Sequence, residues 1–445
     1  MTTTATAVIL AAGFGTRMKS TLPKTLHPIA GRSMLRHLLA SCESVFDRIV
    51  VVVGPGMENV ATAAAPHASV IQHDRLGTAH AALQADALFG DGEVAVLYAD
   101  NPLIQPDTMR RLLDRRRAGD VGLTLLAMRP ADPGRYGRVI GPDVAGGQGD
   151  VERIVEWADA DDAERAVGLC NAGVLCASAQ DMRRWLRAVR NDNSKAEYYL
   201  TDAVHLANAE GARVVAVEAP ADELRGVNSR VELAEAEAIV QHRLRIAAME
   251  AGVTMADPGS VFLCADTQFA QDVRIGPSVV FGPGVRVETG VEIRSFSHLE
   301  GCEVGAGAII GPFARLRPGT VVGPGAHVGN FVELKATRLG AGAKANHMSY
   351  LGDADIGPRS NIGAGTITCN YDGYNKHRTT IGADVFIGSD TALVAPVTIG
   401  DGAIVAAGSV ITANVATDAL AIARQRQIEK PGFAAAFRAA NIKKG

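Results

Sequence analysis

Across the first 225 or so residues, short apolar runs alternate with stretches of helical spacing. "AVILAA" (7–12), "RIVVVVG" (48–54) and "EVAVLYAD" (93–100) are continuous apolar runs, the pattern of strands buried on both faces. The stretches 33–46 and 76–89 repeat apolar positions at helical intervals, so a mostly parallel sheet covered by helices is predicted. "SRVELAEAEAIVQHRLRIAAMEAG" (229–252) is rich in alanine and glutamate and sets Leu233, Val240, Leu244 and Ala247 on one stripe. It reads as a linking helix, ended by "ADPGS".

Beyond about Val273 a period of six takes over. Aliphatic residues or phenylalanine fall at 275, 281, 287, 293 and 299, slip by one, resume at 304, 310, 316, 322, 328 and 334, then slip again. A last frame holds Ile381, Ile387, Leu393, Ile399, Val405 and Ile411. This hexad predicts an all-β parallel β-helix, each short strand forming one side of a prism with its aliphatic residue inside. Between Thr368 and Ile381, "CNYDGYNKHRTT" is too long for a corner: either a binding element or a tolerated surface insertion. The expected organisation is a first domain at 1–228, the linking helix at 229–252, the β-helix at 253–424 and a tail at 425–445. The tail has Phe433 and Phe437 on a helical pattern and Lys443 and Lys444 at its end.

A length of 445 residues calls for two or three domains. The net charge is −4 and the basic residues are scattered, leaving no basic stripe for a nucleic acid. Six widely spaced cysteines (Cys42, Cys170, Cys176, Cys264, Cys302, Cys369) form no CxxC pair, which argues against a zinc ribbon or a disulfide framework. No apolar run approaches the roughly 18–20 residues of a spanning helix. A soluble cytoplasmic protein without membrane partners is expected.

"ILAAGFGTRMKSTLPK" (9–24) runs a strand into a glycine turn. It is not a dinucleotide fingerprint, whose third glycine would fall at Met18, nor a Walker loop. What remains is backbone N–H free to approach an anion, with two fixed cations, Arg17 and Lys24, a combination that suits a polyphosphate. Asp100, at the end of "VAVLY", presents a carboxylate at the same sheet edge: an oxygen ligand for magnesium, or a capping aspartate. His347 interrupts the hexads close to Tyr350, Asn361 and the long loop; a lone histidine there is either structural or a base. His298, His327, His347 and His377 lack the close paired spacing of a zinc site.

"LAAGFGTRM" followed by "LPK" resembles the signature of nucleoside-diphosphate-sugar pyrophosphorylases, and "QHDRLGTAHA", "YADNPL", "YGRV", "IVEWADA", "CNAGV" and "GVNSR" continue the order. With "NFVELK", "NHMSYLGDADIG" and "NIGAGTITCNYDG", the whole chain resembles a family of bifunctional bacterial enzymes. They acetylate glucosamine-1-phosphate and then uridylylate the product. The resemblance implies a Rossmann-like nucleotidyltransferase sheet, a left-handed β-helix and a homotrimer. The small-molecule substrates would be glucosamine-1-phosphate, acetyl-CoA and UTP, with magnesium as cofactor.

On that resemblance Leu10, Ala11, Ala12 and Gly13 line the uridine and phosphates, and Gln72, Gly77 and Thr78 read the uracil. Tyr98 and Ala99 flank the site, Asp100 and Asn228 hold magnesium, Arg17 and Lys24 neutralise phosphate, and Gly137, Glu156 and Asn171 contact the amino sugar. Family members usually carry Gly where Ala99 stands and Thr where Ala172 stands. For acetyl transfer the base is His347, because an ammonium cannot attack a thioester until a proton is removed. Arg317 and Lys335 clamp the sugar phosphate, with Tyr350 and Asn361 on the ring. Ala364, Asn370, Tyr371, Ser389, Ala407 and Arg424 form the acetyl-CoA side, and Asn370 steadies the thioester oxygen.

Two other functions compete: a single-activity pyrophosphorylase whose β-helix only assembles subunits, and a non-catalytic scaffold. Arg17, Lys24, Asp100 and Asn228 have no place in a scaffold. His347 with the Asn370–Tyr371 loop has none in a single-activity enzyme.

Overall fold

The computed structural model describes residues 4–142, 148–193 and 195–441; Lys443 and Lys444 lie outside the described residues. The chain divides into two compact units, Met1–Arg243 and Leu244–Gly445.

In the first unit, eight strands form the main path of one sheet: β1 (Ala5–Leu10), β2 (Arg48–Val53), β3 (Ala68–Ile71), β4 (Glu93–Tyr98), β5 (Leu123–Met128), β6 (Gln148–Asp150), β7 (Cys170–Ser178) and β8 (Val214–Glu218). Their order is β3-β2-β1-β4-β7-β5-β8-β6. β1 runs parallel to both β2 and β4, while β7 enters antiparallel between β4 and β5. All six residues of β1 are buried, which is why its run is apolar without alternation. Helix α1 (Met34–Glu43) starts where the Ser33 hydroxyl accepts the Arg36 N–H, and it buries Met34, Leu35, Leu38, Leu39 and Cys42 along one face. Leu10 lies opposite Tyr98 in the register, so the chain leaves β1 and β4 at the same edge. That register brings the glycine loop and Asp100 together.

The linking helix is present as α2 (Arg230–Glu250), and the boundary between the units falls inside it. Its stripe differs from the predicted one. Ala236, Val240 and Gln241 are buried in the first part, whereas Leu244, Ala248 and Met249 pack against the second unit's core. Ala247 is exposed. The buried positions shift along the helix, so the stripe is not continuous.

The second unit is a parallel β-helix of three sheets, consistent with left-handed winding. The first sheet stacks strands from Thr254–Met255 to Leu420–Ala421, the second from Val280–Phe281 to Val410–Ile411, and the third from Gln268–Phe269 to Val397–Ile399. Every pairing within them is parallel, and inward residues stack coil upon coil: Leu299 on Leu316 on Leu334 on Leu351, none accessible to solvent. Burying such a side chain stabilises by roughly 1.5–3 kcal/mol. The slip in the hexads is a coil one residue shorter: Val287 aligns with Val304, then Val304 with Val322. The long insertion leaves the stack intact, because Ile356 pairs directly with Ile381.

Candidate active sites

At the shared edge of β1 and β4 lies a cavity of about 240 Å³ lined by Leu10, Ala11, Ala12, Gly13, Lys24, Thr25, Gln72, Arg75, Gly77, Thr78, Ala81, Tyr98, Asp100 and Glu197. The loop from 11 to 18 wraps Lys24 closely. Gly15 has φ +67°, and a Cβ there would fall 2.5 Å from Lys24 Cβ. The Lys24 ammonium ion-pairs with Asp100 and donates to Asn228 Oδ1 at 2.9 Å. Asn228 is fixed at the start of α2, where its N–H donates to Glu232 Oε2 at 2.7 Å and Ser229 Oγ accepts the Glu232 N–H at 3.2 Å. Two oxygens from distant chain segments thus grip one cation. This is the donor set magnesium takes when phosphate and water complete its shell. Among the described residues no group of three or more His, Cys, Asp or Glu side chains is placed to hold a metal.

Arg17 lies on the short turn Thr16–Met18, exposed and outside the cavity lining. Arg75, absent from the predicted set, lines the cavity instead. Its Nε donates to Ala12 O at 2.8 Å and its guanidinium lies 3.7 Å over the Phe14 ring. Ala99 and Ala172 are both buried in the core cluster on one side of the sheet.

Thr78, Tyr98 and Glu197 also border a second hollow of about 470 Å³, with Arg135, Glu156, Trp157, Lys195, Tyr199 and Thr201. Burial pushes the Glu156 carboxyl above the usual range, against Lys195 and a hydrogen bond from Thr201. Burial also pushes up the Tyr98 phenol. Gly137 lies beside Glu156, and its carbonyl accepts the Asn171 N–H at 2.8 Å.

In the β-helix the predicted residues form two groups. One is a corner column read from the register: Asn330 aligns with His347, and the alignments of Ala345 with Ile362, Ile362 with Ile387 and Ile387 with Val405 carry the column through Ala364, Ser389 and Ala407. Arg424 Cδ is 3.8 Å from a Cβ built on Gly408, at the top of the column. His347 Nδ1 lies 2.9 Å from Asn330 Oδ1. Asn361 aligns with Lys344 on the first sheet.

The other group occupies the second sheet and the edge that follows it. Arg317 donates to Glu333 Oε1 at 2.8 Å, and Lys335 and Asn370 both donate to Asp353 Oδ2, at 3.3 and 2.5 Å. A Cβ on Gly352 would meet Tyr350 Oη at 2.4 Å and Asn370 Nδ2 at 2.9 Å, so these groups crowd together. The like charge of Lys335 beside it pushes the pKa of the Lys376 ammonium down. The insertion is braced internally: Asp372 accepts from the Tyr374 and Asn375 N–H groups and from His377, which hold its carboxyl well below the usual range. Tyr371 projects from it, exposed.

Sequence reasoning did not single out Arg75, Glu197, Asn330, Glu333, Asp353 or Lys376. Within the prism the signal was available, because the coil length places residue 330 beside 347 and 335 beside 352, next to Asp353.

A sheet-edge cavity holding a lysine–aspartate pair and a column of small residues above a histidine on a hexad prism are what a nucleotidyltransferase domain joined to a hexapeptide transferase domain would carry. Family models agree: a MobA-like NTP transferase domain matches residues 7–192, and bacterial transferase hexapeptide repeats match 301–336 and 378–413. The chain is 67% identical to the bifunctional protein GlmU of Acidiphilium cryptum over 97% of this chain and 98% of that protein. It is 68% identical to that of Gluconacetobacter diazotrophicus over 98% and 94%, and 66% identical to that of Granulibacter bethesdensis over 97% and 96%. The chain belongs to the GlmU family of bifunctional proteins.

Proposed function

We propose that each unit carries one of the two transfers of UDP-N-acetylglucosamine synthesis. The chain is a bifunctional transferase: acetyl passes from acetyl-CoA to glucosamine-1-phosphate, and uridylyl from UTP to N-acetylglucosamine-1-phosphate, releasing pyrophosphate. The observation that carries the assignment is the separation of two chemically different clusters: a cation-gripping cavity in one unit and an imidazole at the foot of a small-residue column in the other.

In the first unit the sugar phosphate attacks the α-phosphorus of UTP in line, and positioning with charge neutralisation supplies the rate. Leu10, Ala11, Ala12 and Gly13 bring backbone against the nucleotide; Gln72, Gly77 and Thr78 read the base; Tyr98 lines the cavity, whereas the Ala99 side chain is buried in the core beside it. Lys24 turns from Asp100 to phosphate, and Arg17 adds a second charge from outside. Asp100 and Asn228 would hold magnesium, which when bound supplies positive charge to the phosphates. Gly137, Glu156 and Asn171 take the amino sugar.

In the second unit the Nδ1–H of His347 donates to Asn330, leaving Nε2 bare to accept the amine proton as nitrogen bonds to the thioester carbon. The thioester bond breaks and CoA leaves as its thiol. Arg317, Lys335, Tyr350 and Asn361 bind the sugar phosphate. Ala364, Asn370, Tyr371, Ser389, Ala407 and Arg424 bind acetyl-CoA, the small side chains making room for the pantetheine arm.

The assembly we propose is a homotrimer in the cytoplasm with acetyl-transfer sites between subunits. Its support is an asymmetry of the prism. Outward positions of the first sheet include Phe386, Ile404 and Leu420, and those of the second Ile367 and Val410, all exposed. On the third, Gln268, Arg286, Glu303, Arg338, Asp355, Thr380 and Thr398 are polar, and the one apolar residue in that row, Val321, is half-buried. No helix among the described residues is long and apolar enough to cross a membrane.

Supplying acetyl-CoA, glucosamine-1-phosphate, UTP and magnesium tests the reading. One thiol and one pyrophosphate are expected per UDP-N-acetylglucosamine, and chelation should stop pyrophosphate but not thiol. A preparation that releases only one of the two under all conditions would contradict it.

A further inference from the structure

We propose that His80 is a positioning residue that locks the Gln72 amide in the orientation that accepts uracil and rejects cytosine. The inference rests on reading the first unit's cavity as the uridylyl site. Gln72 is 3% exposed and lines that cavity. One atom of its amide lies 3.1 Å from the Gly77 carbonyl oxygen. A carbonyl has no proton to give, so that atom is the NH2 nitrogen. The carbonyl is held in place: Gly77 has φ +119°, a Cβ there would fall 2.5 Å from Tyr198 O, and the Gly77 oxygen also accepts the Ala81 N–H at 3.0 Å. The second hydrogen of the Gln72 nitrogen points to His80 Nδ1 at 3.1 Å, which must therefore carry a lone pair, putting the ring proton on Nε2. On the other side of the ring, the Gln84 amide nitrogen donates to the His80 carbonyl oxygen at 3.0 Å and lies 3.3 Å from Nε2; a neutral ring has one lone pair, and the shorter contact from the more deeply buried Gln72 takes it, so the second Gln84 hydrogen turns away from the Nε2 proton.

With both amide hydrogens engaged, Gln72 has only Oε1 to offer a ligand. Uracil presents N3–H, which that oxygen accepts. Cytosine presents a lone pair at N3, which it repels. Without His80 the Gly77 carbonyl alone would hold the amide, leaving one hydrogen free and the orientation less firmly set. Selection of the base therefore depends on a histidine that need not touch the nucleotide.

The test is steady-state pyrophosphate release from UTP and from CTP by the full chain, His80→Leu and His80→Asn. Asparagine places an acceptor oxygen where Nδ1 stands. The UTP-over-CTP ratio of kcat/KM should fall about tenfold in H80L, the scale of one hydrogen bond, and return in H80N. An unchanged ratio, equal loss on both nucleotides, or H80N behaving like H80L would overturn the proposal. Should H80L not fold, 15N resonances of histidine-labelled protein decide: an unprotonated Nδ1 at His80 is expected, and a protonated one overturns it. A wild-type chain releasing no pyrophosphate from UTP would instead remove the uridylyl reading itself.

Discussion

His347 and Asn330 face each other across adjacent coils, imidazole Nδ1 2.9 Å from the amide oxygen. An oxygen at that distance pairs with a proton on Nδ1, the arrangement that leaves the lone pair on Nε2. Asn330→Ala should lower kcat for acetyl transfer about tenfold, the scale of a lost orienting hydrogen bond, with KM nearly unchanged. Asn330→Asp, which keeps an acceptor, should recover most of it. Thiol release measured across a glucosamine-1-phosphate series checks both.

Arg75 ties the glycine loop to the cavity through Ala12 O and the Phe14 ring. Its loss should loosen the backbone that receives the triphosphate. Arg75→Ala is expected to raise KM for UTP about three- to tenfold, a cation–π contact and one hydrogen bond being worth roughly 1 kcal/mol. kcat should fall less. Initial rates over a UTP series provide the measurement.

Glu156 gives a pH-dependent prediction. Burial raises its folded pKa above the unfolded value, so the ionised carboxylate costs stability. The cost is absent below the unfolded pKa, where both states are protonated, and grows as pH rises through the folded pKa. Glu156→Gln should therefore raise Tm at pH 7–8, with the gain vanishing near pH 4. A loss of Tm at neutral pH would contradict the burial argument.

Leu334 lies mid-stack between Leu316 and Leu351 and is wholly buried. Truncation leaves a void that neighbouring coils, fixed by their own ladders, cannot close. Leu334→Ala should cost about 2–5 kcal/mol, read as a lower denaturant midpoint for the β-helix transition.

How much of this was legible follows from how each unit is held together. In the prism, position in sequence fixes position in space: the hexads gave the stacked leucines, and even the one-residue slip recurs as the shorter coil joining Val287 to Val304. Asn330 was within reach of the same counting. In the α/β unit no period links Lys24 to Asn228, 204 positions apart, and only the motif order suggested that they meet. Arg75 and His80 lie inside the quoted "QHDRLGTAHA", but their roles are contacts to backbone and amide groups that the motif does not mark. Ala247 was misplaced on the helix stripe because the buried face shifts from Ala236, Val240 and Gln241 to Leu244, Ala248 and Met249 along the helix.

The central claim is that a cavity gripping a cation in one unit and an imidazole in the other run separate reactions. The most direct measurement follows CoA thiol and pyrophosphate separately in the wild type, His347→Ala and Asp100→Ala, supplying pre-acetylated sugar for the second reaction. H347A should lose thiol release by about 10² or more and keep pyrophosphate release, while D100A should do the reverse. Parallel loss of both activities in either variant would contradict it.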